Sequence, residues 1–201
     1  MARTPRKRFL LIGTGIGLAV VLLVGIFTSL GAHNTSGESG GTSAAPHQGG
    51  PAPSFSAENI SGVGSPTVGL PAGRSGAPTV LLFFGAWCDA CHEELPPLAA
   101  TVHSQDAAGG PLSHVTVIGV DSLDKTSAAQ NFIRTAGVHF PVAYDPNDTI
   151  TSGDFWFTGD PYAVFIDADG TINRIVRGDV LTPSSFSADE HALLHDAHTS
   201  D

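Results

Sequence analysis

The sequence predicts an α/β domain with a mixed central sheet flanked by helices, preceded by one transmembrane helix and a flexible linker. Three observations predict it. Short continuous apolar runs alternate with segments of helical spacing. An Asp-Gly turn joins the last two strand-like runs, so a hairpin closes a series that begins with parallel crossovers. An uncharged stretch of 22 residues, 9–30, stands ahead of all of these.

Residues 1–8 carry Arg3, Arg6, Lys7 and Arg8, four of the nine Lys and Arg residues of the chain. At about 1.5 Å per residue, the apolar run over 9–30 is long enough to cross a hydrocarbon core of about 30 Å as a helix. The basic cluster places the amino terminus in the cytoplasm and everything after residue 30 outside it. A cleaved signal peptide is the competing reading. Ser29-Leu30-Gly31 offers a small-x-small site, but the run is long for such a peptide. No cysteine follows before Cys88, which excludes a lipoprotein box. Either reading, anchored at the cell membrane or secreted, puts the rest of the chain in an oxidising compartment. Residues 31–52 are Gly, Ser, Ala, Pro and Thr with little to bury, the composition of a tether. Nothing in that stretch holds His33 and His47 together as metal ligands.

From residue 33 onward, 5 Lys and Arg face 19 Asp and Glu. So acidic a surface repels phosphate backbones and anionic headgroups, which argues against nucleic-acid binding and against docking on a lipid surface.

Residues 53–201 are enough for one core of ordinary size. The run 79–85 (TVLLFFG) reads as a strand buried on both faces. Leu95, Leu98, Ala99 and Val102 recur at helical spacing over 92–102. The run 115–120 (VTVIGV) reads as a second buried strand. Residues 126–136 follow as a helix with Phe132 and Ile133 inward. Residues 162–167 (YAVFID) and 171–176 (TINRIV) flank the turn at Asp169-Gly170 as a hairpin. A weakly apolar helix over 183–198, opened by Thr182 or Ser184 as a cap, ends the chain. This order predicts helices on both faces of the sheet.

Both cysteines fall in Trp87-Cys88-Asp89-Ala90-Cys91, where the first buried strand gives way to a helix. A purely structural disulfide here closes so short a ring that it removes little unfolded-state entropy. A redox pair has a mechanism: the helix amino terminus presents unpaired N–H groups and a partial positive charge, both of which favour the Cys88 thiolate. Cys88 then attacks a disulfide, and Cys91, one turn on, resolves the mixed intermediate. Cys88 to His92 also satisfies the c-type haem attachment pattern. Against haem, the motif follows a buried strand and the only methionine is Met1. A zinc site lacks a spaced second pair of ligands.

The segments FFGAWCDACHEELPPL, FPVAYDP and GDPYAVFIDADGTI resemble the membrane-anchored, extracytoplasmic thioredoxin-like proteins of the TlpA, ResA and CcmG type. The likeness runs over about 53–178. It implies a thioredoxin-like fold with an additional βα insertion, and no cofactor beyond a redox-active disulfide between Cys88 and Cys91. In the implied site Cys88 is the nucleophile, Cys91 the resolving cysteine and Pro161 a cis-proline against the disulfide. Pro96 matches a helix-kinking proline, Glu94 the acidic residue near the active site, and Trp87 flanks the dithiol. Glu93 and His92 read as exposed helix residues.

The sequence departs from that pattern twice. Six residues before Cys88, where relatives often carry a buried Asp or Asn, stands Leu82, which leaves proton transfer to Cys91 to Glu94 or water. Before the proline stands Asp160, which with Asp89 and Glu94 suggests an acidic rim. Negative charge near Cys88 disfavours its thiolate, and a less stabilised reduced form makes a weaker oxidant, hence a reductase.

The expected partners are client proteins with thiols or disulfides, apocytochromes of c-type cytochrome maturation among them, and a membrane thiol donor that recycles the dithiol. A disulfide-forming oxidase of secreted proteins is the enzymatic alternative. A copper-binding metallochaperone is the other, although copper-delivery relatives usually space their cysteines by three and add a distant histidine. His191, His195 and His198 share a helical face and read as surface residues. Asp167, Asp169 and Gly170 read as a turn rather than a calcium loop. Trp156 suits a substrate groove beside Pro161 and core packing equally.

Overall fold

The structure, a computed structural model, describes residues 44–71, 77–110, 114–177 and 181–199. The basic segment and the apolar run expected to anchor the chain lie outside the described residues. Among the described residues no helix is long and apolar enough to cross a membrane.

The central sheet holds five strands in the order β5-β4-β3-β6-β7: β3 (Thr79–Phe84), β4 (Thr116–Ser122), β5 (Val142–Asp145), β6 (Tyr162–Ile166) and β7 (Ile172–Arg177). β3, β4 and β5 run parallel, while β6 and β7 are antiparallel additions beside β3. β3 is therefore paired on both sides, and all six of its residues are buried, as its unbroken apolar run requires. A separate hairpin, β1 (Phe55–Glu58) with β2 (Thr67–Leu70), docks on β5, where Ile60 N–H donates to the Val142 carbonyl.

Three α-helices follow the strands: α1 (Asp89–Ala107), α2 (Thr126–Thr135) and α3 (Pro183–Thr199). Side chains of all three, Leu95 and Leu98, Phe132 and Ile133, Phe186 and Leu193, meet Leu82, Phe84 and Phe165 on one face of the sheet. The opposite face differs from the expected helical cover. Leu81, Phe83, Val120 and Val164 pack there against the hairpin and against Ile150, Phe155 and Phe157. Among the described residues its one helical element is a π-turn, Thr149–Asp154, where three successive backbone N–H groups at Thr149, Ile150 and Thr151 donate to the Asp145 carboxylate. Short polar TITSGD carries no apolar helical stripe, which is why the pattern gave no helix there.

The domain also begins before residue 53. Gly49 N–H donates to the Ile172 carbonyl, Ile172 N–H returns to the Gly50 carbonyl, and Pro51 bridges Thr171. The last residues of the expected linker thus pair with the start of β7. Composition reports what a segment buries, and backbone pairing of this kind needs no apolar side chain. Thr182 does cap α3, its Oγ1 accepting from Ser185 N–H.

Candidate active site

β3 runs out at Phe84, and the chain turns through Gly85, Ala86 and Trp87 into α1. Gly85 is required by contact: a Cβ there would lie 2.3 Å from Trp87 Nε1, so only glycine lets the indole fold back over the strand end. Trp87 Nε1 donates to the Ser122 carbonyl (2.9 Å), and Ala86 N–H donates to the Asp124 carboxylate. His92 Nε2 donates to the Ala86 carbonyl (2.9 Å) from the first turn of α1, and its ring packs on Phe132. Rather than standing free, the exposed His92 ties that turn to the helix.

Cys88 is the N-cap of α1, with extended backbone, and is disulfide-bonded to Cys91. Its Sγ accepts from Cys91 N–H at 3.1 Å. A sulfur in the position of a capping oxygen receives one of the helix's orphan donors, an environment that favours a thiolate once the disulfide is reduced. Cys91 is the deeper of the two, 1% exposed against 4% for Cys88.

The second wall is the loop entering β6. The Asp160–Pro161 peptide is cis, and the Asp160 carbonyl oxygen lies 3.5 Å from Cys88 Sγ. Pro161, Cys91 and the half-buried Glu94 line a groove with Leu95, Tyr162 and Leu181. Trp87, about half exposed, flanks the disulfide, and Asp89 and Glu93 are exposed on the first turns of α1.

Asp160 does not sit on a rim. Its carboxyl turns inward, one oxygen accepting from Ser122 Oγ (2.6 Å) and the other buried without a partner. There it meets an acidic group that the sequence reading passed over. Asp121, in register with Phe84 across β3 and β4, is 0% exposed, and neither of its carboxyl oxygens meets a well-formed hydrogen bond. Burial, reinforced chiefly by the neighbouring Asp124 carboxylate, pushes Asp121 up to about 8. Burial likewise pushes Asp160 up to about 6, against the lowering effect of the Ser122 hydrogen bond and with the added charge of Asp148, Asp145 and Asp124. Where Leu82 leaves β3 without an acid, the adjoining strand β4 buries one, opposite Phe84. Its signal was an Asp directly extending the apolar run VTVIGV.

The remaining candidates resolve simply. Gly170 N–H donates to the Asp167 carbonyl and Asp169 accepts from Thr171 N–H, a hairpin turn. His47 is exposed, and His33 and the side chains of His195 and His198 lie outside the described residues. Trp156 points outward at 54% exposure, whereas Phe155 and Phe157 beside it are buried.

The profile of the AhpC/TSA family matches residues 48–175. The chain belongs to the AhpC/TSA family. Within it, the chain is 27% identical to the thiol-disulfide oxidoreductase ResA of Bacillus subtilis, over 86% of this chain and 87% of that protein. It is 33% identical to the soluble secreted antigen MPT53 of Mycobacterium bovis over 58% of this chain, spanning 61% of that protein. For ResA of Bacillus anthracis the span is 57% of its length. Among solved structures it superposes on a secreted Mycobacterium tuberculosis disulfide oxidoreductase homologous to DsbE with a TM-score of 0.56 and 26% identity, covering 69% of this chain and 96% of that one. This AhpC/TSA domain has the thioredoxin-like fold, and its disulfide-bonded Cys88 and Cys91 form a CxxC pair.

Proposed function

We propose that this thioredoxin-like thiol-disulfide oxidoreductase of the ResA and DsbE type works outside the cytoplasm as a reductase of client-protein disulfides, apocytochromes of c-type cytochrome maturation among them. The observation that carries the reading is Cys88 as the N-cap of α1, its sulfur accepting from Cys91 N–H beside the Asp160 carbonyl. Residues 1–8 and 9–30 form the cytoplasmic segment and anchor of this reading, and a membrane thiol donor recycles the dithiol. The names of the secreted mycobacterial relatives support an extracytoplasmic setting.

In the reduced protein the Cys88 thiolate, stabilised at the helix end, attacks one sulfur of a client disulfide. A Cys88–client bond forms, the client S–S bond breaks, and the released client thiolate takes a proton from solvent. Cys91 then gives up its proton and attacks Cys88 Sγ, closing the protein disulfide and expelling the second client sulfur. The second client thiolate takes up a proton matching the one Cys91 released, so the client gains two electrons and two protons. The protein gives up two electrons, the Cys91 proton and the proton shed when Cys88 ionised. Pro161 and the Asp160 carbonyl position the client's sulfur, Trp87 covers the pair, and Glu94 lies where it can pass the Cys91 proton to water.

Equilibrium titration of the purified protein against glutathione tests the direction. A reductase potential lies nearer that of thioredoxin, about −270 mV, than that of DsbA, about −120 mV. A value near the oxidase end overturns the reductase reading in favour of disulfide formation. Copper retained stoichiometrically after anaerobic purification overturns it in favour of a metallochaperone.

A further inference from the structure

Among the described residues, three large apolar side chains are exposed: Trp87 (47%), Leu123 (55%) and Trp156 (54%). All three belong to the end of the sheet that carries the dithiol. Trp87 precedes Cys88. Leu123 follows β4 directly, between Ser122, whose carbonyl holds the Trp87 indole, and Asp124, whose carboxylate holds Ala86 N–H. Trp156 lies four residues before Asp160, within about 14 Å of it by the reach of an extended chain.

Leu123 and Trp156 share a second property. Both have left-handed backbone, with φ of +59° and +57°. For bulky side chains such a conformation is strained and persists only where the surroundings enforce it. The enforcement is the same in both places. Ser122 and Asp124 are buried on either side of Leu123, and Phe155 and Phe157 on either side of Trp156. Each chain segment anchors both neighbours inward and turns the large apolar residue out. Neither burial nor backbone preference accounts for that arrangement, since Asn or Gly fits the conformation better and Leu or Trp gains nothing from water.

We propose that Leu123 and Trp156, with Trp87, form an apolar docking surface for an extended client segment in which large apolar residues flank the disulfide-bonded cysteine. The proposal rests on the oxidoreductase reading and adds the class of client. Trp87 adjoins Cys88, where a client sulfur must arrive, and Leu123 stands between the two residues that hold the Trp87 turn in place. The excess of 19 acidic over 5 basic residues from residue 33 onward steers net-basic segments toward it, with Lys125 and Arg177 as local exceptions on this end of the sheet.

The test uses the reduced full-length protein in detergent micelles. Its substrates are two cysteine peptides, each carried as a mixed disulfide with glutathione, one with Leu and Phe flanking the cysteine and one with Ser and Gln. Glutathione disulfide is the third substrate. The expected result is at least tenfold faster reduction of the apolar-flanked peptide than of the polar-flanked one. In the double variant Leu123→Asn, Trp156→Asn that ratio falls at least fivefold, while melting temperature holds or rises because Asn accepts left-handed backbone. Gly at both positions is the second variant pair. Equal rates on the two peptides, or a preference intact in both pairs, overturns the proposal. A dimer at assay concentration that dissolves in the double variant assigns the surface to a second copy and also overturns it. Failure to reduce glutathione disulfide or either peptide strikes the oxidoreductase reading itself, an outcome distinct from loss of preference.

Discussion

Asp160 faces two ways: its carbonyl oxygen lies 3.5 Å from Cys88 Sγ while its carboxyl accepts from Ser122 Oγ at 2.6 Å. One residue therefore touches the reactive sulfur through its backbone and the buried acid cluster through its side chain. With its carboxyl pushed up to about 6, Asp160 changes charge beside the dithiol just below neutrality.

Replacing that carboxyl alters the redox balance in a pH-dependent way. The ionised form opposes the Cys88 thiolate and so destabilises the reduced protein. Asp160→Asn removes the opposition, and the reduction potential rises by about 30 mV, a tenfold change in equilibrium constant, at pH 7.5. The difference shrinks toward pH 5, where the native carboxyl is already neutral. Titrations against glutathione at the two pH values measure it, and a difference of equal size at both would count against a charge effect.

Asp121 governs stability in a neighbouring range. Its folded-state pKa, raised to about 8, exceeds the ordinary carboxylate value, so between those limits the folded protein binds more protons than the unfolded chain. The stabilisation is complete below about pH 4 and is lost as pH rises toward 8, with a limiting slope of about 1.4 kcal/mol per pH unit for this group. Asp121→Asn is expected to flatten the decline and to be more stable than the native protein at pH 8. Urea unfolding of the oxidised protein at pH 5 and pH 8 provides the comparison.

At the strand end, Gly85→Ala drives a methyl group into the Trp87 indole. The expected outcome is a loss of about 1–3 kcal/mol and release of the indole from the Ser122 carbonyl. Denaturant midpoints and a red shift of tryptophan emission report the two effects. An unshifted spectrum would show that the indole is not held there.

In the proposed mechanism Cys88 attacks and Cys91 resolves, so their variants should differ in kind. Cys91→Ser leaves the attacking sulfur without a resolving partner and accumulates mixed disulfides with thiol-bearing proteins, visible as reductant-sensitive bands. Cys88→Ser accumulates fewer, because the remaining Cys91 lies inside α1 and not at the capping position that favours a thiolate.

What the sequence disclosed follows from where side-chain pattern and backbone geometry coincide. β3, six successive buried residues, was legible from end to end, and α1 was legible over 92–102 from Leu95, Leu98 and Val102 on one face, while its last turn, to Ala107, carries no apolar period. β5, the short VAYD, was not, because four residues of mixed character carry no period. The hairpin of FSAE and TVGL escaped for the same reason, its residues half-exposed and its pairing set by backbone alone. At the site, Cys88 and Cys91 announced themselves by spacing. Asp121 did not, because an acid after an apolar run looks like the start of a loop, and only the pairing with Phe84 shows that the strand continues through it.

β3 has a hydrogen-bonded neighbour along each side, so the cysteines hang from the middle of a ladder and not from its margin. A client joined covalently to Cys88 pulls on a rib that two flanking ribs restrain. Tension in the joined pair is then relieved by distortion of the client before it is relieved by distortion of this sheet. The partner that yields is the one whose bond is to be exchanged.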